Sequence, residues 1–413
     1  MKLILTVVAS VFLLVTAQAQ NANKDAWLED LITYKTGLEQ KHIDVYNKIS
    51  PTDFEKELDA IKESLGEKTD LEITIELMRL TRKIGDGHTT ISFANQEMHN
   101  FPFELQKFEG EWRVVKTSTK HLPVLGLELI EIDGNPIDEV AKQIGEVAQF
   151  VENEYSQVVR TAQYLTFSEL LYGLHIITDK TEALFTFRNT DGNLIREKVQ
   201  SLNRPEYKTA AFSEIKIGVP EITQPDNPKT EGFWFTPIEE TQGLYIHFQN
   251  YPTFDEMMRI GEEIAAFIFQ NNTKQLVIDM RNNGGGDLYT GLVLAFALNL
   301  ADPVNWRDGV YVLSNNVTFS AATSNTALYR DLLNATIVGE PTGSNPTGYQ
   351  DMDSFELPNS KLVICYSKRL FKIQETPSSG VQPDVLIKSD WNNFSQGKDP
   401  VLQWVIDDIK AKN

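Results

Sequence analysis

Apolar residues recur at helical spacing in the first part of the chain, which predicts a helical region over 25–84. Trp27 and Leu31 belong to the first run of this kind. The second run, in "SPTDFEKELDAIKESLG", opens with Ser50 as an N-cap before a proline in the first turn. A third run ends at Gly85 and is followed by "DGHTTISF", a turn and then a strand signal.

Between 100 and 210 the pattern changes to short alternating runs, which are typical of strands. "FPFELQKFEGEWRVVKT" and "EALFTFRNTDGNLIREKVQSL" each predict a β-hairpin, with "EG" and "DG" at the turns. Between them, "LGLELIEIDGNPIDEVAKQI" predicts a strand, a tight turn and an amphipathic helix. This order is similar to part of a PDZ domain, and it also fits a generic β-hairpin followed by a helix.

From residue 242, apolar runs of strand and helix type alternate along the chain. "GLYIHFQNY", "KQLVIDM", "GVYVLS", "ATIVGE" and "KLVICYS" are typical of strands. A helix with a capping box from Thr253 to Glu256, the apolar run "LYTGLVLAFALNL" as a buried helix, and "ALYRDLL" lie among them. The alternation predicts βαβ units and a mostly parallel sheet covered on both faces. The polar, proline-rich segment 218–232 is the candidate boundary or loop.

The first residues, "MKLILTVVASVFLLVTAQAQ", combine a basic start, a short apolar core and a small-residue site. That order is typical of a secretory signal peptide. The uncharged stretch 3–16 is shorter than the roughly 20 residues that a membrane-spanning helix needs. We therefore expect cleavage of residues 1–19, a secreted or periplasmic protein, and no membrane span after cleavage.

Composition excludes several classes of partner and site. The net charge of −20 should repel nucleic acid and anionic membranes. The single cysteine, Cys365, has no partner for an internal disulfide or a thiolate zinc site, and its apolar surroundings favour a buried strand position. The fold must therefore be held together by packing.

The stretch "VIDMRNNGGGD" predicts a strand, a glycine loop and a helix start. Glycines in such a loop let the backbone turn sharply and approach a ligand, with free N–H groups facing outward. The loop lacks the endings of a P-loop and of a dinucleotide site, so it suits an oxyanion better than a nucleotide. Three adjacent glycines also carry an entropic cost, which favours a functional loop over a plain turn.

A serine stands at the second strand-to-helix corner, "NNVTFSAATSN". Thr318 is a natural N-cap, which places Ser320 in the first helical turn, beside unpaired N–H groups that favour negative charge. An oxyanion formed by attack of Ser320 would lie beside these donors. Ser320 also fits an ordinary helix start, so a catalytic role requires a base.

One histidine of the six stands in a loop of small residues that is able to present its ring to a cleft. This is His88, in "GDGHTT", directly after a predicted helix end. A satisfied surface histidine is the alternative at this position. The other histidines lie in predicted helices, strands or polar connections: His42, His99, His121, His175 and His247.

Taken together, these motifs resemble the S41 family of serine peptidases, which contains the tail-specific or C-terminal processing proteases and the tricorn core. "GDGHT" resembles the family's histidine motif, "VIDMRNNGGGD" its glycine loop and "NVTFSAA" its nucleophile segment. "IVGEPTG" and "SSGVQPDV" resemble the strand-loop and the closing signature that follow. All five occur in family order, which is much more specific than any single motif.

The resemblance implies Ser320 as the nucleophile, 19 residues before Gly339. The processing proteases place a lysine base six residues after that glycine, and this chain has Asn345 there. The tricorn-like branch uses an upstream histidine, which His88 matches, so the sequence is closer to the Ser/His branch.

That branch also carries a glutamate three residues before the closing Gly-Val to orient the histidine. This chain has Pro377 there, and the nearest acid is Glu375. The third catalytic residue is therefore left open between Glu375, Asp86 and another group. The resemblance further implies an oxyanion hole from the N–H groups of Ala321 and of a loop glycine, Gly284 or Gly285, with no metal or organic cofactor.

The expected architecture is an α/β fold with a crotonase/ClpP-like core, an N-terminal helical region and a β-rich PDZ-like module. Its expected divisions are a signal peptide over 1–19, a helical region over 20–95 that ends in the GDGHT motif, a β-rich region over 96–215 and a catalytic core over 216–413.

The expected function is an exported serine endopeptidase that acts on a peptide or an unfolded protein. A degenerate S41-like protein that binds a peptide, glycan or apolar ligand is the alternative. A coenzyme A hydrolase or hydratase is disfavoured by the signal peptide, because such substrates are intracellular. The sequence leaves the oligomeric state and cleavage specificity undetermined.

Overall fold

The computed structural model describes residues 23–228, 230 and 232–412. The signal peptide predicted over 1–19 lies outside these residues. The helices are α1 (Lys24–Lys41), α2 (Pro51–Ser64), α3 (Asp70–Ile84), α4 (Ile137–Val147), α5 (Glu154–Tyr164), α6 (Ser168–Gly173), α7 (Arg204–Thr209), α8 (Phe254–Asn271), α9 (Leu288–Asn299), α10 (Ala321–Leu332), α11 (Trp391–Ser395) and α12 (Pro400–Lys412), with a 3-10 turn at Thr119–Val124.

The strands form several sheets. They are β1 (Thr90–Ser92), β2 (His99–Asn100), β3 (Phe103–Phe108), β4 (Glu111–Ser118), β5 (Glu128–Ile132), β6 (Asn135–Pro136), β7 (Glu182–Arg188), β8 (Leu194–Gln200), β9 (Leu202–Asn203), β10 (Phe212–Glu214), β11 (Phe233–Ile238), β12 (Gly243–Phe248), β13 (Gln275–Asp279), β14 (Val310–Ser314), β15 (Thr336–Gly339), β16 (Thr347–Glu356), β17 (Val363–Lys372) and β18 (Val385–Leu386).

The N-terminal helices have the ends that the sequence predicts. The Ser50 side chain accepts a hydrogen bond from the Asp53 N–H at the start of α2. Gly85 closes α3 with φ 79°, a left-handed conformation that glycine adopts without strain. This C-cap turns the chain directly into the loop that carries His88.

Both predicted hairpins are confirmed. β3 pairs antiparallel with β4, and β7 pairs antiparallel with β8, within a seven-stranded sheet that also contains β5. At the first turn, Glu109 and Gly110 both have positive φ, as a tight two-residue hairpin requires. The segment between the hairpins forms β5, a tight turn, β6 and α4. Its relation to PDZ domains remains a prediction.

The mostly parallel sheet of the C-terminal half is confirmed. Its order is β11-β12-β13-β14-β15-β18, with every pair parallel except β11 with β12. One face packs against α8, α9 and α10, and the other against α12. Because β13 and β14 are parallel neighbours, the loops after Asp279 and Ser314 meet at one edge of the sheet.

Two expectations for this half are wrong. "KLVICYS" does not continue the parallel sheet, because β17 pairs antiparallel with β16 and with β1 in a separate sheet. The run 288–299 is apolar throughout, but α9 buries only one face and leaves Tyr289 and Phe296 each 58% exposed. Uniform apolarity therefore does not place this helix fully inside the protein.

Pairing of β1 with β17 has a direct consequence for the position of His88. Thr90 pairs with Cys365, so the segment just after His88 is anchored to a strand from the C-terminal half. Cys365 is a free cysteine and is buried, as predicted. Across the described residues, no helix combines the length and apolarity needed to span a membrane.

Candidate active site

Ser320 stands at the turn between β14 and α10 in an unusual backbone conformation. Its φ of 54° and ψ of −128° lie in a region that non-glycine residues rarely adopt. Ser320 is itself the N-cap, and α10 begins at Ala321. The predicted N-cap, Thr318, instead donates its hydroxyl proton to the Met280 carbonyl at 2.9 Å.

Buried hydroxyl groups hold Ser320 in this conformation. The Ser320 N–H donates to Ser344 Oγ at 2.7 Å. Ser344 in turn donates to Thr323 Oγ1 at 2.8 Å, and Thr323 donates to the Thr318 carbonyl at 3.1 Å. Ser344, Thr323 and Thr318 are fully buried. The surrounding network therefore offsets the strain at Ser320 and fixes the direction of its side chain.

His88 is brought into contact with Ser320. Its Nε2 lies 2.9 Å from Ser320 Oγ, the distance of a hydrogen bond. Phe319 stacks against the imidazole with ring centroids 5.3 Å apart. His88 is 4% exposed, so this ring is a buried group rather than a surface histidine.

Asp86 holds the backbone of the His88 loop and not the His88 ring. Its Oδ1 accepts from the His88 N–H at 2.7 Å, the Thr89 N–H at 3.0 Å and the Ser367 hydroxyl at 2.8 Å. Its Oδ2 accepts from the Thr89 hydroxyl at 2.6 Å and from His42 Nε2 at 2.7 Å. Five donors saturate this carboxylate, so Asp86 fixes the loop.

The electrostatics of the site favour a neutral His88 that can act as a base. Burial lowers the pKa of His88, while the Asp86 carboxylate and the Tyr349 carbonyl act in the opposite direction. Burial alone would raise the pKa of Asp86, but hydrogen bonds from His42 and Thr89 outweigh it, and the pKa of Asp86 is lowered. Asp86 is therefore a buried carboxylate beside a neutral imidazole.

The glycine loop after β13 is joined to the Ser320 loop by hydrogen bonds. The Phe319 N–H donates to the Asn283 carbonyl at 2.9 Å, and the side chains of Asn282 and Asn315 pair at 2.8 Å. Gly285 has φ 103°, and a Cβ atom placed on it would lie 2.6 Å from Ser320 Cβ. Only glycine fits there, as its close approach to the serine requires.

Two backbone N–H groups next to this contact are free donors. Neither the Ala321 nor the Gly284 N–H has a hydrogen-bond acceptor among the described residues. The Gly285 N–H, by contrast, donates to Asn283 Oδ1 at 2.9 Å. Of the two glycines predicted as oxyanion donors, Gly284 thus has an N–H that is free to bind an oxyanion. Gly285, which lacks a Cβ atom, leaves room for the Ser320 side chain.

The structure does not bring Glu375 to the His88 ring. Glu375 is exposed in the segment after β17, and no hydrogen bond joins it to His88. The Asn345 side chain forms structural hydrogen bonds. Its Oδ1 accepts from Asn153 Nδ2 at 3.1 Å and from the Gly380 N–H at 2.9 Å. The position at which Ser/Lys enzymes carry a lysine therefore joins two loops here.

Sequence reasoning missed Glu152, an acid beside the His88 loop. Its carboxyl group packs against Gly87, and its Oε2 is buried without a hydrogen-bond partner among the described residues. The only local signal is the capping box at Asn153, which predicts a helix start and no chemistry. No cluster of three or more His, Cys, Asp or Glu side chains suited to a metal ion occurs in the described part of the chain.

Comparison with known proteins places this geometry in a known fold. No family model matches the sequence. Mature CPAF in complex with lactacystin is similar, at 14% identity and a TM-score of 0.64 over 94% of this chain and 98% of CPAF. A mutant form of CPAF gives a TM-score of 0.65 at 14% identity over 93% of this chain and 96% of CPAF. The photosystem II D1 C-terminal processing protease scores lower, with a TM-score of 0.42 at 12% identity over 90% of this chain and 94% of the protease.

The chain shares the fold of CPAF, an S41 serine peptidase. The expectation of an S41-like fold is thereby confirmed, while the crotonase-like and PDZ-like descriptions of its parts remain predictions. Within this fold, a cleft of about 830 Å³ opens between the parallel sheet and α5. Asn282, Asn315 and Val317 line it from the glycine and serine loops, and Val158 and Trp234 line it from the other sides. The cleft therefore adjoins the Ser320 loop.

Proposed function

We propose that this protein is an exported serine peptidase that hydrolyses peptide bonds through an acyl-enzyme on Ser320. The contact of 2.9 Å between Ser320 Oγ and His88 Nε2 carries this proposal. A buried imidazole whose pKa is lowered stays neutral near pH 7, which is the form that accepts a hydroxyl proton.

The reaction begins when Ser320 Oγ attacks a substrate carbonyl carbon and its proton passes to His88 Nε2. The N–H groups of Ala321 and Gly284 are the donors for the oxyanion, because they adjoin the serine and have no acceptor of their own. His88 then gives the proton to the leaving amine. In the second half of the reaction His88 accepts a proton from water as the water attacks the acyl-enzyme, and it returns this proton to Ser320 Oγ as the acid product leaves.

We place an extended polypeptide substrate in the adjoining cleft, which reaches the Ser320 loop at Val317 and is not lined by Ser320 or His88 themselves. Its volume of about 830 Å³ lies in the range of ligand-binding sites, and its walls combine apolar and polar groups. Because CPAF has been crystallised in complex with lactacystin, we propose that compound as a test ligand for this protein.

Labelling of the purified protein with a fluorophosphonate tests the nucleophile and its base. We expect labelling of the wild type, none in Ser320→Ala, and a rate reduced by about 100-fold to 10,000-fold in His88→Ala. His99→Ala is the matched control, because His99 pairs with Glu169 away from the site and should label normally. Normal labelling of His88→Ala would remove the proposed base.

A binding protein with an S41 fold is the second candidate, favoured by the exposed position of Glu375. Incubation with an unfolded protein such as reduced casein distinguishes the two. Cleavage by the wild type but not by Ser320→Ala supports the peptidase, whereas binding without cleavage or fluorophosphonate labelling supports the second candidate.

Export is tested separately from activity. The full sequence is expressed in a secreting host, and the N-terminus of the mature protein is sequenced. We expect the mature protein to begin at Gln20. An intact N-terminus that remains with the cells would contradict export.

A further inference from the structure

Two buried polar atoms at the His88 loop have no hydrogen-bond partner among the described residues. One is Nδ1 of His88, the ring nitrogen that does not contact Ser320; the Tyr349 carbonyl acts on this ring but forms no hydrogen bond of normal geometry with Nδ1. The other is Oε2 of Glu152. Buried polar groups are normally satisfied, so two unsatisfied atoms in one site call for a physical explanation.

The Glu152 carboxyl group lies against two glycines, one of which is the residue before His88. A Cβ atom placed on Gly87, the residue before His88, would lie 2.9 Å from Glu152 Cβ and 3.2 Å from Oε2. A Cβ atom placed on Gly348 would lie 2.4 Å from Oε1. Any side chain at Gly87 or Gly348 would therefore displace the carboxyl group.

Glu152 is held firmly in this position. Its N–H donates to Ser156 Oγ at 3.0 Å, which fixes the backbone at the start of α5. The next residue, Asn153, donates from Nδ2 to the Thr342 carbonyl at 3.2 Å and to Asn345 Oδ1 at 3.1 Å. The segment that carries Glu152 is thus joined to the loop that supplies Ser344 to Ser320.

The other carboxylates considered for the His88 ring already have partners or are exposed. Asp86 accepts five hydrogen bonds, including one from the backbone of His88. Asp351 pairs with Lys368 and Arg369, and Glu375 is exposed. Besides Asp86, the charged groups that influence His88 are Arg160 from α5 and Asp351 from β16.

Burial raises the pKa of Glu152 well above its ordinary value, and the Asp86 carboxylate acts in the same direction. The backbone amide of Asn345 opposes the shift. A buried acid without a counter-charge destabilises the fold when it ionises, and such groups occur preferentially at functional sites.

We infer that Glu152 is a positioning residue for His88. Its ionised carboxylate stabilises the imidazolium that forms on His88 when Ser320 gives up its proton. This role rests on the proposed peptidase function. In the step concerned, the Ser320 O–H bond breaks and the His88 Nε2–H bond forms. The Ser320 Oγ–carbon bond forms as the π bond of the substrate carbonyl opens and leaves its electron pair on the oxyanion. Glu152 neither gives nor takes a proton. The new positive charge on His88 is then paired with a carboxylate inside the protein.

Two measurable consequences follow from an ionised active form. Activity rises as pH increases through the raised pKa of Glu152, which gives the pH–rate profile an acid limb. Replacement of the carboxyl group by an amide removes this contribution and leaves only the limb due to His88. Stability changes in the opposite sense. The folded protein holds the Glu152 proton more tightly than the unfolded chain does, so the free energy of unfolding falls as pH rises from the ordinary carboxyl range to the folded pKa.

The test compares Glu152→Gln with the wild type across about pH 5 to 9, by rate of fluorophosphonate labelling and by urea unfolding. We expect the labelling rate at the alkaline end to fall by about tenfold or more, the change expected if the pKa of the His88 imidazolium falls by about one unit. The acid limb should move to lower pH, and the free energy of unfolding at the alkaline end should equal or exceed that of the wild type. Glu152→Asp should retain part of the rate and the pH limb.

Glu154→Gln and Glu375→Gln are matched controls, since both side chains are exposed and both variants should label within about twofold of the wild type. Wild-type labelling and an unchanged pH profile in Glu152→Gln would overturn the inference and leave the peptidase proposal intact. Loss of activity in proportion to a loss of stability would also overturn it, because that result indicates a packing role. Absence of labelling in the wild type would instead refute the peptidase proposal itself, and with it this role.

Discussion

Nε2 of His88 and Oγ of Ser320 lie 2.9 Å apart, although 232 residues separate them in the chain. Pairing of β1 with β17 produces this contact, because it anchors the residues just after His88 to the C-terminal half. The Ser367 hydroxyl on β17 also donates to Asp86 at 2.8 Å and holds the same loop from a second side. The base is thus positioned by a sheet that lies outside the parallel core.

Replacement of Gly285 by alanine should disable the nucleophile without unfolding the core. The new Cβ would lie 2.6 Å from Ser320 Cβ and 2.9 Å from the Phe319 carbonyl oxygen, at a φ of 103° that alanine rarely adopts. We expect the rate of Ser320 labelling to fall by about 100-fold, the cost of a displacement of about 1 Å. Gly110→Ala is the control, because Gly110 has a similar φ of 100°, nothing lies within 4 Å of its Cβ position and it stands in a hairpin turn away from the site. Equal labelling of the two variants would contradict the packing described for Gly285.

Replacement of Ser344 by alanine should relax the strained turn at Ser320. The half-buried Ser320 N–H would lose its acceptor at 2.7 Å, at a cost of about 1 kcal/mol or more. We expect slower labelling of Ser320 together with a lower free energy of unfolding in urea. Ser324→Ala, which removes a buried hydroxyl bonded to Gln350 Oε1 at 3.2 Å, should leave the labelling rate nearly unchanged. Wild-type labelling of Ser344→Ala would show that the turn keeps its shape without this bond.

Replacement of Asp86 by asparagine should destabilise the protein near neutral pH. It leaves several buried donors, including the His88 and Thr89 N–H groups, with a weaker acceptor and removes a buried charge, which costs about 3–5 kcal/mol. The lowered pKa of Asp86 means that its contribution to stability is present above the unfolded pKa and is lost as pH falls through the folded pKa.

The difference in urea unfolding free energy between wild type and Asp86→Asn should therefore shrink on acidification. Ser367→Ala, which removes one donor to Asp86, should show a smaller loss of about 1 kcal/mol. A difference that stays constant at all pH values would show that the Asp86 charge contributes nothing.

The pH profile of Glu152→Gln should report His88 without the neighbouring carboxyl group. Burial lowers the pKa of His88, and a base acts in its neutral form, so labelling should persist to below pH 6.5 before it declines. The measurement is the rate of fluorophosphonate labelling as a function of pH. A midpoint above 6.5 would mean that the imidazole is stabilised in its charged form.

The sequence predicted those parts of the fold that depend on local patterns. Helix caps at Ser50 and Gly85, both β-hairpins and the alternation after residue 242 follow from turn chemistry and from hydrophobic periodicity, which act over a few residues. The order of five short motifs also pointed to Ser320 and His88, which the structure brings into contact. Local pattern was insufficient for α9 and β17, because burial and strand partner are set by the rest of the molecule.

The sequence alone thus predicted the main helices and strands, an S41-like fold and the two residues that meet at the site. Only the tertiary structure decided how they meet. Ser320 takes a positive φ because Ser344 accepts its N–H, and Asp86 is committed to the backbone of the His88 loop. Glu152 lies beside that loop because Gly87 and Gly348 leave space for its carboxyl group. These relationships join residues far apart in the chain, and no motif spans them.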